Sequence, residues 1–484
     1  MFVKSGTTKI SSAVLLVLLA SNARSDTAPS PWAAMAQRDL QAIHDTIRDN
    51  HPGPVDPENP RFRDWLENGL TVALQKAAQA RTYSDYTRAL RRYTNGFQDG
   101  HVIVSFGIAP AKIDWPGIVV GGDSDGRPEI VYAEPDAGVK RGDHIESCDG
   151  VSFDALMKER VDPYFWNSAI PQARMSMGTY LFLANPDERA HRLTRCRLSS
   201  GEVLLKWRTG EAAEVNRTLG TALGGGDAQF EMKPVDGVWF IRLPRFWFNS
   251  DAETAKLSAL ISDLTSQAAA LRKSTVVFDV RGNGGGDSLW GYRLAVALWG
   301  KPWVDRVEES FDSTHDVRVS AANIEKVAAI LESAKKNQTE AVEYWTLVMN
   351  AMRSAEAAGQ PLARVSLPPS TPGDPPPPNP ISGRVFLLTD AGCGSACLDF
   401  ADLLLRLPGV TQVGLPTFAD AVYIDVNDAE LPSGLATLSY GMKVFRHRVR
   451  ANNQWYEPKY RWPGGPMTYE ALARWLRGLP RGGA

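Results

Sequence analysis

Cysteine is scarce in this chain: Cys148, Cys196, Cys393 and Cys397 are the only four among 484 residues. Cys393 and Cys397 do not have zinc-site spacing and no second Cys/His pair lies near them, so no metal and no other cofactor is expected. Excess charge is also lacking. Lys and Arg number 53 against 55 Asp and Glu, a net charge of −2, which offers no basic field for nucleic acid. Long apolar runs are missing too. The longest, Ala13 to Ala20, has eight residues, whereas a membrane-spanning helix needs roughly twenty, so no span is expected in the mature chain.

That short run has a different use. Lys4 and Lys9 precede it, and Ser21-Asn22-Ala23-Arg24-Ser25 follows with small residues at Ala23 and Ser25. A basic start, a short apolar stretch and a small-residue site make a secretory signal peptide, cleaved after Ser25 or after Ala23. The expected location is periplasmic or secreted, where disulfides form. Four cysteines allow three complete pairings, and buried free thiols are an equal alternative.

The length calls for two to four domains. After the leader (1–25), residues 26–104 read as helical: Ile43 and Ile47, then Leu66, Leu70 and Leu74, then Tyr86, Leu90 and Tyr93 recur at helical spacing. Residues 105–225 read as β-rich, with a polar and aromatic interruption at about 155–195. From 226 to 484 apolar strands alternate with helices. Val238 to Leu243, Thr275 to Val280 and Val385 to Leu388 have the character of parallel strands buried on both faces. A helical and proline-rich insertion at about 305–380 is either a lid or a surface decoration.

Two glycine-rich turns follow buried strands. Asp279-Val280-Arg281-Gly282-Asn283-Gly284-Gly285-Gly286 frees backbone N–H groups that could hold an oxyanion, but lacks the Gly-Lys-Ser/Thr ending of a nucleotide loop. Thr389-Asp390-Ala391-Gly392-Cys393-Gly394-Ser395-Ala396-Cys397 places Ser395 at a helix start, where serine serves either as an N-cap or as a nucleophile favoured by the helix dipole. A third motif, Asp99-Gly100-His101, sets one of seven histidines at a domain junction.

The ordered pair of glycine motifs, Asp279 to Gly286 and Gly392 to Cys397, resembles the carboxyl-terminal processing (tail-specific) serine protease family, which includes the tricorn core. The resemblance implies an α/β multidomain fold: an α-helical N-terminal region, a PDZ-like β-rich domain around Ala137 to Val151, and a protease core of the ClpP/crotonase-like type with a helical insertion. It implies a serine endopeptidase acting on polypeptides, whose PDZ-like part would bind a substrate C-terminus. By position Ser395 is the nucleophile, and the N–H groups of Gly284, Gly285 and Ala396 form the oxyanion hole. The tail-specific branch has a lysine base three residues after Pro-Thr. Here that position, in Pro416-Thr417-Phe418-Ala419-Asp420, is Asp420. The tricorn-like branch uses a histidine, and Asp99-Gly100-His101 resembles its D-x-H element, so His101 is the expected base. Glu457 is the expected orienting acid, with Asp420, Asp425 and Glu430 as alternatives. Lys443 is an outside candidate for a displaced base.

Overall fold

The computed structural model describes residues 30–480 except 124, 166–169, 186–191, 224–228, 249, 338–340, 368 and 370–377. The expected leader and most of the proline-rich stretch lie outside the described residues.

The helical spacing near the N-terminus is realised as α1 (Pro31–Asn50), α2 (Pro60–Ala77) and α3 (Tyr83–Asn95). Ser30 caps α1 by accepting the Ala33 N–H, and Thr82 and Asp85 form a reciprocal capping box on α3. Then come β1 (Ile103–Phe106), β2 (Lys112–Trp115), β3 (Ile118–Gly122), β4 (Pro128–Ala133), β5 (Ile145–Cys148) and β6 (Val151–Ser152). The helices α4 (Phe153–Arg160) and α5 (Pro171–Met177) precede β7 (Arg195–Leu198), β8 (Gly201–Leu204), β9 (Arg208–Glu211) and α6 (Ala212–Ala222). The stretch 155–195 is more than an interruption: its Leu156, Met157, Leu181 and Phe182 are buried with Ile118, Val120 and Ile130 in one core. A disulfide, Cys148–Cys196, joins the neighbouring strands β5 and β7.

The C-terminal half runs β10 (Glu231–Val235), β11 (Val238–Arg242), α7 (Asp251–Ser266), α8 (Ala268–Leu271), β12 (Thr275–Asp279), α9 (Leu289–Trp299) and α10 (Lys301–Glu308). It continues with β13 (His315–Arg318), α11 (Ala321–Lys336), α12 (Val342–Ala357), β14 (Leu362–Val365), β15 (Arg384–Thr389), α13 (Ala396–Leu404) and β16 (Val410–Gly414). It ends with β17 (Tyr423–Glu430), β18 (Ala436–Phe445), β19 (Tyr460–Arg461) and α14 (Tyr469–Gly478). One sheet has the order β10-β11-β12-β15-β16-β19, antiparallel only at β10. Alternate residues of its central strands feed two cores. Val276, Phe278, Val385 and Leu387 pack under α7, α9 and α13, while Val277, Phe386 and Leu388 pack under α14.

The insertion is built into a second sheet, of order β1-β18-β13-β14 with β17 also on β18. Arg318 donates to the carbonyls of Arg48 and Asp49, and Asn323 donates to that of Asn50, tying the insertion to the end of α1. The N-terminal helices share their core with the C-terminal hairpin: Leu40, Ile43, Tyr86 and Tyr93 are buried together with Leu438, Tyr440 and Val444.

A polar chain runs through this second body. His315 Nδ1–H donates to the Ser313 carbonyl (2.8 Å), so its Nε2 accepts from the Tyr344 hydroxyl (3.1 Å). Tyr344 in turn accepts from Lys443 (3.1 Å), which pairs with Asp425 (2.8 Å). Burial, reinforced by the Lys443 charge, pushes the His315 pKa down to about 4. The unfolded chain therefore binds a proton below about pH 6.5 that the folded chain refuses until about pH 4. Stability falls as pH drops through that window, by up to about 3 kcal/mol. Denaturant melts from pH 7.5 to 4 should show this slope, and His315→Gln should reduce it, leaving the part that buried His51 contributes in the same direction. An unaltered slope in the variant would assign the acid sensitivity to other groups.

Candidate active site

Ser395 directly precedes α13 and adopts φ 51°, ψ −125°. Its side chain makes no capping hydrogen bond to the helix. The cap alternative is thereby removed, and the serine is held in a backbone region that costs a non-glycine residue about 1–3 kcal/mol.

The first glycine loop holds it there. A Cβ on Gly285 would lie 2.7 Å from Ser395 Cβ and 2.8 Å from Ala396 N. Gly285 itself has φ 100°, so both sterics and backbone require glycine. The Gly394 N–H donates to the Asn283 carbonyl (3.1 Å). Asp390 Oδ1 accepts N–H groups from both loops, Gly282 at 2.8 Å and Gly392 at 2.9 Å. The other motif residues shape the loop. Arg281 grips Asp279 through Nε (2.8 Å) and NH2 (2.7 Å), and Arg242 adds a longer contact. Burial alone would raise the Asp279 pKa, but these two guanidinium groups hold it below the usual carboxylate range. Asn283, fully buried, donates to the Leu243 carbonyl (2.9 Å) and accepts the Gly285 N–H (3.0 Å).

That last bond corrects one expectation. The Gly285 N–H is spent on Asn283 and is not available to an oxyanion. The N–H groups of Gly284 and Ala396 have no acceptor among the described residues, and Ala396 opens α13, where N–H groups lack intrahelical partners. A buried disulfide, Cys393–Cys397, spans the nucleophile position from two residues on either side.

His101 lies on the turn before β1, with its side chain 14% exposed. Its ring and Ser395 Oγ form no hydrogen bond with each other in this structure; a short chain of contacts connects their segments. Cys393 O accepts the Phe418 N–H (3.1 Å), Asp420 O accepts the Asn453 N–H (2.9 Å), and Asn453 Nδ2 donates to Gln98 O (3.1 Å). The acid beside His101 is Asp99. Its Oδ1 lies 3.8 Å from His101 Nδ1, a buried ring nitrogen with no hydrogen-bond partner, and accepts the His101 backbone N–H at 2.9 Å. Its Oδ2 accepts from His51 Nε2 (3.0 Å). His51 Nδ1 accepts the Gly53 N–H (2.9 Å), so His51 carries its proton on Nε2, and burial lowers its pKa further toward the neutral form.

Glu457 stands elsewhere. It is exposed, and its carboxylate takes the Trp455 indole N–H (2.8 Å) and Arg461 (2.6 Å), with no bond to His101. Asp425 is paired with Lys443. Burial opposes the charge on Lys443, but Asp425 and Tyr344 overcome it and raise its pKa, so this lysine is a fixed cation and not a free base.

Asp420, at the position of the absent lysine, is buried and paired with Arg448 (2.8 Å) and Arg450 (2.5 Å). Arg450, 1% exposed, also binds Asp399 and Asp402 on α13, each at 2.8 Å. This cluster ties α13 to the segment that carries Arg450. Arg450→Met takes the shared cation from Asp399, Asp402 and Asp420, leaving Asp420 only Arg448, and is expected to cost about 3–5 kcal/mol in urea unfolding. A wild-type midpoint in that variant would mean that the cluster does not anchor α13. Sequence reading passed over the linking roles of Asp99 and Asp390, although both stand inside the motifs it singled out.

No curated protein matches the sequence. Solved structures similar in fold over most of the chain include two of mature CPAF. Mature CPAF has 16% identity and a TM-score of 0.60, covering 89% of this chain and 93% of that one. Mature CPAF complexed with lactacystin has 17% identity and a TM-score of 0.59, covering 89% and 94%. Residues 237–453 match Peptidase family S41, a span that contains both glycine loops and Asp420 but neither His101 nor Glu457. The part of the chain that holds Ser395, residues 237–453, is thus similar to peptidase family S41, and with that match comes the expectation of serine-type proteolysis.

Proposed function

We propose that this chain is a serine endopeptidase in which Ser395 attacks a peptide carbonyl, His101 takes the serine proton and returns it to the leaving amine, and the N–H groups of Gly284 and Ala396 hold the oxyanion. Asp99 orients His101 in this reading, in the place first given to Glu457. The observation that carries it is the Ser395 backbone: φ 51° with an uncapped hydroxyl, wedged against Gly285. Such strain is spent where a side chain must be presented rather than buried. The Ser395–His101 pair lacks a hydrogen bond here, as catalytic pairs often do before substrate binds.

Finer parts of the reading belong with it. The β-rich body of β2–β9 is proposed as PDZ-like, the six-stranded sheet as ClpP/crotonase-like, and the enzyme as tail-specific, engaging a polypeptide by its C-terminus. Export to the periplasm or outside the cell is proposed from the basic and apolar N-terminus together with the pairing of all four cysteines.

A fluorophosphonate probe tests the chemistry. It should label the wild-type protein and leave Ser395→Ala unlabelled. Absence of labelling in the wild type, or equal labelling of the variant, would sink the protease reading. The alternative is a silent peptide-binding protein on the same fold.

A further inference from the structure

A cleft of about 790 Å³ opens beside α3 and the β1–β2 connection. It is not part of the Ser395 loops. Among the described residues its charge is one-sided: Arg88, Arg91, Lys112 and Arg160 line it, and no described Asp or Glu does. Lys112 has a distant partner in Glu211 at 3.8 Å. Arg88 and Arg91 have no carboxylate partner among the described residues. They stack instead on aromatic rings, Arg88 over Tyr164 at 4.4 Å and Arg91 over Phe106 at 5.2 Å. Apolar surface is exposed in the same place, with Ile108 50% and Tyr180 43% accessible.

Strand β1 links the cleft to the candidate catalytic turn. Strand β1 begins two residues after His101, pairs among the described residues with β18 alone, and ends at Phe106 in the cleft wall. Its other edge has no strand partner among the described residues, and Ile103 on this strand is 43% exposed. An open edge of this kind accepts an extended chain by main-chain hydrogen bonding. Tyr83 fixes the far end by donating to the Ile108 carbonyl (2.9 Å).

We infer that this cleft and the β1 edge form a docking site for an extended, acidic and aromatic stretch of the substrate polypeptide, outside the cleaved bond. The guanidinium groups of Arg88 and Arg91 take its carboxylates, its rings and apolar side chains fill the space around Ile108, and its backbone runs along β1 toward His101. That the occupant is a substrate rests on the protease reading; the binding itself does not.

The test separates the two. Binding of a fluorescently labelled random copolymer of glutamate and tyrosine to full-length Ser395→Ala is followed by anisotropy. The copolymer should bind in a salt-sensitive manner. In the Ser395→Ala background, adding Arg88→Glu and Arg91→Glu should weaken it about tenfold or more, and Ile108→Asp, at an exposed position, should weaken it without touching the arginines. A lysine–tyrosine copolymer and oligothymidylate should not compete. Unchanged affinity in variants that melt like the parent would overturn the site, as would equal competition by the oligonucleotide, which would assign the cleft to nucleic acid. Fluorophosphonate labelling of the same variants with Ser395 intact should persist. Copolymer binding without labelling keeps the cleft and removes the protease, and labelling without binding does the reverse.

Discussion

His101→Ala is expected to lower kcat/KM on a polypeptide substrate by about 10³- to 10⁴-fold, the scale of a lost general base. Fluorophosphonate labelling of Ser395 should slow in parallel, since a serine hydroxyl without a base is hardly nucleophilic. The fold should survive, because the His101 ring makes no hydrogen bond and only its backbone N–H is held by Asp99. Asp99→Ala should behave differently: it strips the acceptor from buried His51 as well, so activity and melting temperature fall together. Full activity in His101→Ala would remove the histidine from the mechanism. A collapse of stability in that variant would recast it as structural.

Gly285→Ala is the second large effect. Its methyl group would lie 2.7 Å from Ser395 Cβ, 2.8 Å from Ala396 N and 2.8 Å from Gly394 O, on a residue with φ 100°. Two of those neighbours are backbone atoms of the nucleophile turn, so relief requires moving the turn. Labelling should be lost and stability should fall by about 2–3 kcal/mol. Gly284→Ala is the matched control. Nothing lies within 4 Å of its added Cβ, and alanine keeps the N–H proposed to face the oxyanion, so labelling should persist. Similar behaviour of the two variants, read by melting temperature and labelling rate, would contradict the tight packing of the two loops.

The half that matches peptidase family S41 was legible where local sequence carries its own signature. Val277 and Phe386 lie in uninterrupted apolar runs, the mark of strands covered on both faces, and helices start where the glycine turns end. The shared core of Leu40 and Tyr86 with Leu438 and Tyr440 was not legible: residues some hundreds of positions apart leave no local periodicity to read. Strands β13 and β14, four residues each beside long helices, fell below the length at which alternation can be recognised. In the site, serine suits both a cap and a nucleophile, and only φ and the idle hydroxyl tell them apart. The Gly285 N–H looked free because backbone spacing does not reveal that Asn283 folds back onto it. Glu457 was placed by rank order along the chain, which says nothing about the neighbouring Arg461 that claims its carboxylate.

The Asp420 cluster also bears on how such a chain could change over time. A serine–lysine pair could be recovered in principle by Asp420→Lys alone. That step would remove the carboxylate paired with Arg448 and one of the three on Arg450, and set a third cation against both in a closed interior. The intermediate is the unstable form, and only a coordinated change at the two arginines would make it passable. Through Asp420, the choice of base proposed for this site is tied to the framework that holds α13 in place, so a lysine at this position carries a structural cost before it could carry a proton.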